Sequence, residues 1–166
     1  MKKIIAFTTL FSLILFAFAG TQSTKVAVIK MKRGTVVIIK ADGSKHPAVK
    51  GEWVTQGSVI KTQAKSFVRL SFIDKSTVNV GPSSEMKIEK FSKEEAGVLN
   101  VISGKIRSKV SKDYLQMNKD KYKLFVKSKS AVMGVRGTDF VYSYNPRTDS
   151  ATTVLFEGSI VFNKID

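Results

Sequence analysis

The chain has 166 residues, with 28 lysines and arginines against 13 acidic residues, which gives a formal net charge of +15. It contains no cysteine, which excludes disulfides, thiolate catalysis and thiolate metal sites. The charge is typical of a protein that attracts polyanions, or of one kept soluble by like-charge repulsion, and by itself it selects no ligand.

The N-terminus has the layout of a secretory signal peptide. Lys2 and Lys3 precede an apolar run over residues 4–18, and the small residue Ala19 follows it. The run is shorter than the roughly 18 or more apolar residues of a transmembrane helix. We therefore expect cleavage after Ala19 and a domain over residues 20–166 without a transmembrane span. We expect the protein to be exported to the periplasm, with secretion or surface association as the alternatives.

Strand signals dominate the rest of the chain. Short runs rich in Val, Ile and Phe alternate with polar residues between turn-forming residues. They are clearest over residues 35–39, 67–72, 77–80, 98–102, 124–126, 139–142 and 153–156. One stretch, residues 111–120, carries a weak helix signal, and we interpret it as a loop excursion with Ser111 as a candidate cap.

Glycines recur with a rhythm between these runs. Gly34, Gly57, Gly81 and Gly104 are 23 or 24 residues apart, a period typical of stacked supersecondary units. The alternative is that glycine punctuates any all-β protein at short intervals. We predict a single all-β domain, built as a twisted solenoid-like or sandwich-like stack of short strands.

Several segments resemble, in order, the FecR domain family of bacterial extracytoplasmic proteins. They are residues 51–62, 66–78 and 134–140, with a closing segment at 156–161. The resemblance implies an all-β extracytoplasmic domain. The best-known members relay signals through a cytoplasmic segment that regulates a sigma factor. We find no such segment here, so we expect the binding domain to carry over and the transducer role not to.

The most specific of these segments reads Gly-Val-Arg-Gly-Thr-Asp-Phe. We interpret its family-motif residues as structural, because flanking glycines indicate tight backbone geometry; they are Gly134, Arg136, Gly137, Thr138 and Phe140. The alternative for Arg136 is that it points outward as a contact to a partner. The chain departs from the family at a hairpin, where it has Asp74-Lys75-Ser76 instead of Asp-Gly-Ser. A turn with a positive φ would there have to place a lysine in the left-handed region.

Catalytic constellations are absent from the sequence pattern. The one histidine, His46, has no evident partner group, and the carboxylates are scattered. No cluster of His, Asp and Glu has the spacing of metal ligands. We expect a non-enzymatic protein with no cofactor and no metal.

Basic residues recur at alternate positions between residues 105 and 129. On a strand, residues two apart share a face, so this pattern predicts a lysine stripe with an aromatic member that could grip an anionic polymer. The alternative is a solvated outer face that resists aggregation. The candidate residues are Lys105, Arg107, Lys109, Lys119, Lys121, Lys123, Phe125, Lys127 and Lys129.

Three functions remain open at this point. The leading one is a binding or scaffold domain of the bacterial envelope that docks a partner protein. The second is a polyanion-binding module for cell-wall or outer-membrane material. The third is a structural component of a surface assembly, in which strands near residues 26–30 or 153–165 add to a neighbour's sheet. The sequence carries no dedicated nucleic-acid motif and does not indicate an oligomeric state.

Overall fold

The computed structural model describes residues 24–113 and 122–165. The expected signal peptide, residues 1–19, and most of the stretch 111–120 lie outside these ranges. Within them the chain forms strands and no helix, and hence no helix that could span a membrane. The strands are β1 (Lys25–Arg33), β2 (Val36–Ile39), β3 (Lys45–Pro47), β4 (Trp53–Thr55), β5 (Val59–Thr62), β6 (Phe67–Phe72), β7 (Thr77–Val80), β8 (Glu85–Lys90), β9 (Gly97–Lys109), β10 (Leu124–Lys127), β11 (Ala131–Asn145) and β12 (Ser150–Lys164).

The strands form one curled sheet shaped as a half-barrel, which confirms the expected all-β, single-domain fold class. Its main path runs β3-β2-β5-β8-β9-β7-β6-β1-β4. β9 is the centre, because its first half pairs with β8 and β10 and its second half pairs with β7 and β11. β12 pairs only with β11 and forms a long edge.

Alternation of side chains places one apolar core inside the curl. In β6, Val68, Leu70 and Phe72 are buried while Arg69 points outward. The bounds of β6 and β7 are those predicted from the sequence. β9 and β11 are longer than predicted, because each continues through a bend where the pattern of alternation breaks.

The bend in β9 lies at Gly104, whose φ is +82°. Before it Leu99 and Val101 are buried, and after it Ile106 is buried, so the bend inserts one extra residue and keeps both halves facing the core. A Cβ on Gly104 would lie 2.2 Å from the Oγ of Ser84. The close approach therefore requires glycine.

The same corner occurs at Gly34, so two of the four glycines in the rhythm, Gly34 and Gly104, occupy equivalent positions. The N–H of Thr35 donates to Ser66 Oγ over 2.9 Å, and the N–H of Lys105 donates to Ser84 Oγ over 2.9 Å. Each serine precedes a strand and follows a residue with positive φ. The corner is thus built from a glycine on one strand and a serine at the start of another.

The hairpin between β6 and β7 tolerates its departure from the family pattern. Lys75 adopts a φ of +67°, so a lysine occupies the left-handed position. The Asp74 carboxylate accepts hydrogen bonds from the N–H of Ser76 over 2.9 Å and from its hydroxyl over 2.7 Å. These bonds close the turn that glycine would otherwise favour.

Candidate binding surface

The first part of the predicted lysine stripe lies on the outer face of β9. Lys105, Arg107 and Lys109 are exposed, while Ile106 and Val110 point into the core. The three cations therefore share one solvent-facing surface in the middle of the sheet.

Arg69 of β6 extends this surface across the neighbouring strands. Its Nε donates to Asn79 Oδ1 of β7 over 2.7 Å, and Asn79 is in turn the Cα partner of Arg107 in β9. We call Arg69, Lys105, Arg107 and Lys109 the cationic row. Alternation within β6 shows that Arg69 points outward, but its place beside β9 follows only from the strand order. For that reason the sequence pattern missed it.

Arg107 is held in a fixed orientation at the centre of the cationic row. Its Nε and Nη2 donate to the two carboxylate oxygens of Asp139 over 3.0 Å each, and its guanidinium carbon lies 4.9 Å from the ring centre of Phe156. The hydrogen bond from Arg107 lowers the pKa of Asp139, and Asp139 raises the pKa of Arg107. The carboxylate therefore stays ionised among the cations.

An open cleft of about 350 Å³ lies beside three residues of the cationic row, Arg69, Arg107 and Lys109. The residues that line it are all of polar or charged types, and they include cations and one carboxylate. It is lined by Arg69, Thr77, Asn79, Arg107, Lys109 and Asp139. Such a surface suits charged groups presented by a large partner better than it suits an enclosed small molecule.

Lys123 was predicted in the surface stripe, and this prediction is wrong. Its side chain is 2% exposed, and its Nζ lies 3.1 Å from the carboxylate of Asp74, which is also buried. Nζ also donates to the carbonyls of Ser111 and Asp113. Lys123 precedes β10 and turns inward, so that it ties the β6–β7 hairpin to the segments on either side of residues 114–121.

The remaining stripe residues do not join the cationic row. Phe125 and Lys127 lie on the outer face of β10, beside residues 97–100 of β9 and across the bend from Lys105. Lys127 is paired with Glu89 over 2.7 Å, and Lys129 is exposed beyond the end of β10. Lys119 and Lys121 lie outside the described residues.

The family-motif residues lie at the bend of β11. Between Arg136 and Asp139 the register with β12 shifts, and Gly137 has a φ of +57°. Thr138 and Phe140 are buried after the bend, a Cβ on Gly134 would lie 3.0 Å from the Tyr122 ring, and the Arg136 side chain is exposed. These placements support a structural role for Gly134, Gly137, Thr138 and Phe140, whereas the role of the exposed Arg136 stays a prediction.

His46 has a partner that the sequence pattern did not reveal. Its Nε2 lies 2.5 Å from Glu52 Oε1, and the second carboxylate oxygen accepts the N–H of Val49 over 3.1 Å. The pair fastens β3 to the loop that leads into β4. In the ranges 24–113 and 122–165, His, Asp and Glu form no group of three that could hold a metal ion.

Of three comparisons with known proteins, one identifies a family. A search of curated protein sequences finds no match. One solved structure, a "Cell surface anchoring domain", is 21% identical over 37% of this chain and 82% of its own, with a TM-score of 0.36, a similarity from which neither fold nor function follows. The family model "FecR protein" matches residues 58–161, which include β5 to β11 and most of β12. The chain belongs to the FecR family.

Proposed function

We propose that this FecR-family chain is a non-enzymatic binding domain of the bacterial envelope, which docks a partner protein through the outer face of β6, β7, β9 and β11. The observation that carries the proposal is the cationic row together with Asp139. Family membership supports an extracytoplasmic place, as does the signal-peptide pattern of residues 1–19.

The pattern of charge favours a protein as the partner. Asp139 lies within the row, and Glu157 lies close by, paired with Lys112 over 3.0 Å. A protein surface can match charges of both signs, whereas an anionic polymer can pair only with the cations. The ring of Phe156 beside Arg107 adds an exposed apolar contact, which is typical of residues that dominate binding at protein interfaces.

A second candidate is an anionic polymer of the envelope. This candidate is favoured by Lys105 and Lys109, which lie on either side of Arg107 and form no ion pair with any described residue. Binding of this kind depends on phosphate or carboxylate pairing and falls steeply with salt. The two candidates therefore differ in a property that can be measured.

The test compares two variants with the same loss of four positive charges. In the row variant, Arg69, Lys105, Arg107 and Lys109 are replaced by glutamine. In the control variant, four exposed lysines away from the row are replaced by glutamine: Lys40, Lys45, Lys50 and Lys93. Each protein is immobilised, and binding from solubilised envelope is measured at about 0.1 M and 0.5 M salt, a range over which screening between exposed charges rises sharply.

The proposal predicts a defined protein that is retained by the wild type and the control variant at both salt concentrations and is lost by the row variant. Retention of only anionic polymer at low salt, with loss in the row variant, would replace protein docking by the second candidate. Equal retention by the row variant and the control variant would overturn both.

A further inference from the structure

β12 is an exposed edge strand with an unusual composition for such a position. It has 15 residues, pairs on one side only, and is exposed along most of its length. Its exposed apolar side chains are Val154, Leu155, Phe156, Val161 and Phe162, each between 40% and 58% exposed. Open edges with apolar side chains are templates for pairing with another chain.

One common protection of an edge strand, a series of lysines along it, is missing from β12. Soluble proteins commonly place lysine along an open edge to prevent pairing. This chain has 28 lysines and arginines, yet within β12 the charged residues are Glu157 near the middle and Lys164 at the end. β12 is therefore a place where a protein of net charge +15 can approach a second copy with little local repulsion.

The distribution of apolar residues along β12 is nearly symmetric. Gly158, with a φ of +88°, and the preceding shift in register divide the strand into two arms. The first arm carries Val154, Leu155 and Phe156, and the second carries Val161 and Phe162. In an antiparallel pair of two copies centred near Gly158, the first arm of each copy meets the second arm of the other.

The faces of the two arms also correspond. Leu155 and Phe162 are Cα partners of the buried residues Phe140 and Met133, so both share the face that forms the core. Phe156 packs against the outward Arg107, and Val161 lies on the outer face as well. Pairing about the centre thus sets Leu155 against Phe162 inside the curl and Phe156 against Val161 outside it.

We propose that β12 is a self-association edge, through which two copies of this chain pair antiparallel about a two-fold axis near Gly158. The pairing joins two half-barrels into one sheet and covers the inner face where the core is open at Leu155 and Phe162. Its contact of about 12 residues per copy is roughly half that of a standard interface, so we expect a dissociation constant of about 1–100 µM. The pairing uses the edge of the sheet and none of the four residues of the cationic row, but it covers Phe156, which contacts Arg107.

The test measures oligomeric state by analytical ultracentrifugation from about 1 to 500 µM, concentrations that bracket this range. The wild type is expected to show a monomer–dimer equilibrium that strengthens with salt, because salt screens the repulsion between two basic copies. Val161→Lys is expected to weaken the dimer at least tenfold. Ile102→Lys, which adds the same charge at a 38% exposed apolar residue of β9, is expected to change it less than threefold. Circular dichroism checks that both variants are folded.

Cysteine cross-linking tests the position of the axis, since the chain contains no cysteine. Ser159→Cys lies one residue from Gly158 and is expected to form a disulfide-linked dimer under mild oxidation. Thr152→Cys, also exposed, would be about 40 Å from its counterpart in an extended antiparallel pair and is expected to stay monomeric. A wild type that remains monomeric throughout, equal effects of the two lysine variants, or equal cross-linking of the two cysteine variants would overturn the proposal.

Discussion

The buried ion pair between Lys123 and Asp74 offers the sharpest test of the fold. Lys123→Met keeps a long apolar side chain but removes the charge, which leaves the buried Asp74 carboxylate and the carbonyls of Ser111 and Asp113 without this donor. Breaking a buried pair by removing one partner costs about 3–5 kcal/mol. That is a large part of the roughly 5–15 kcal/mol by which a domain is stable.

This loss of stability can be measured as a fall in the melting temperature, Tm. For a domain of about 150 residues, each kcal/mol lowers Tm by roughly 2–4 °C, so we expect Lys123→Met to lower it by about 6–20 °C. Urea unfolding followed by circular dichroism gives the same change as a free energy of unfolding. The matched control is Lys127→Met, because Lys127 forms an ion pair that is about one-third exposed and is expected to contribute at most about 1 kcal/mol.

A second variant separates the buried charge from the packing. The double variant Asp74→Asn with Lys123→Met removes both charges, and we expect it to be more stable than Lys123→Met alone, since the main penalty is an unpaired buried carboxylate. A loss below about 1 kcal/mol for Lys123→Met would refute the reasoning, and so would a double variant less stable than the single one.

Three further predictions concern the bends and the cationic row. Gly104→Ala places a Cβ at a positive φ and 2.2 Å from Ser84 Oγ, and it is expected to lower the free energy of unfolding by about 2–4 kcal/mol. The control Gly43→Ala also has a positive φ but open space around the Cβ, and it is expected to cost about 1 kcal/mol. Equal losses of stability in urea unfolding would contradict the structure of the Gly104 corner. Thr138→Val removes a buried hydroxyl that has no hydrogen-bond partner among the described residues. The free energy of unfolding is therefore expected to stay unchanged or rise by about 1 kcal/mol, and a fall of that size would show that the hydroxyl is needed. Arg107→Gln is expected to raise the pKa of Asp139 towards its ordinary value of 3.8, which NMR titration of the carboxyl would detect. A lowered carboxyl pKa stabilises the fold fully above the ordinary value, so the small contribution of this pair is lost as the pH falls from 3.8 through the lowered pKa of Asp139. An unchanged pKa would argue against the Arg107 contact.

Sequence reasoning predicted the fold class because alternation and turn residues are local signals. The hairpin of β6 and β7 was predicted with its observed bounds, since its buried and exposed residues alternate without interruption. β9 and β11 were predicted only in part, because Gly104 and the Arg136–Asp139 bend each insert a residue and shift the alternation. A bend of this kind can be recognised only when the partner strand is known.

The binding surface was predicted less completely for the same reason. Lys105, Arg107 and Lys109 lie on one strand, so their common face could be read from spacing alone. Arg69 and Asp139 reach the same surface from strands that are distant in sequence. Lys123 continued the alternating pattern of lysines but is buried, because its partner Asp74 lies in a hairpin that sequence spacing could not place beside it.

The most direct test of the proposed docking face is photo-crosslinking in the living cell. A photoreactive phenylalanine analogue at Val141, the Cα partner of Arg107 on the outer face of β11, samples the cationic row without removing any of its charges. The matched position is Val37 of β2, which is also half-buried and lies near the far end of the sheet. The account predicts a discrete adduct with an envelope protein from position 141 and none from position 37. Adducts from both positions or from neither would contradict it.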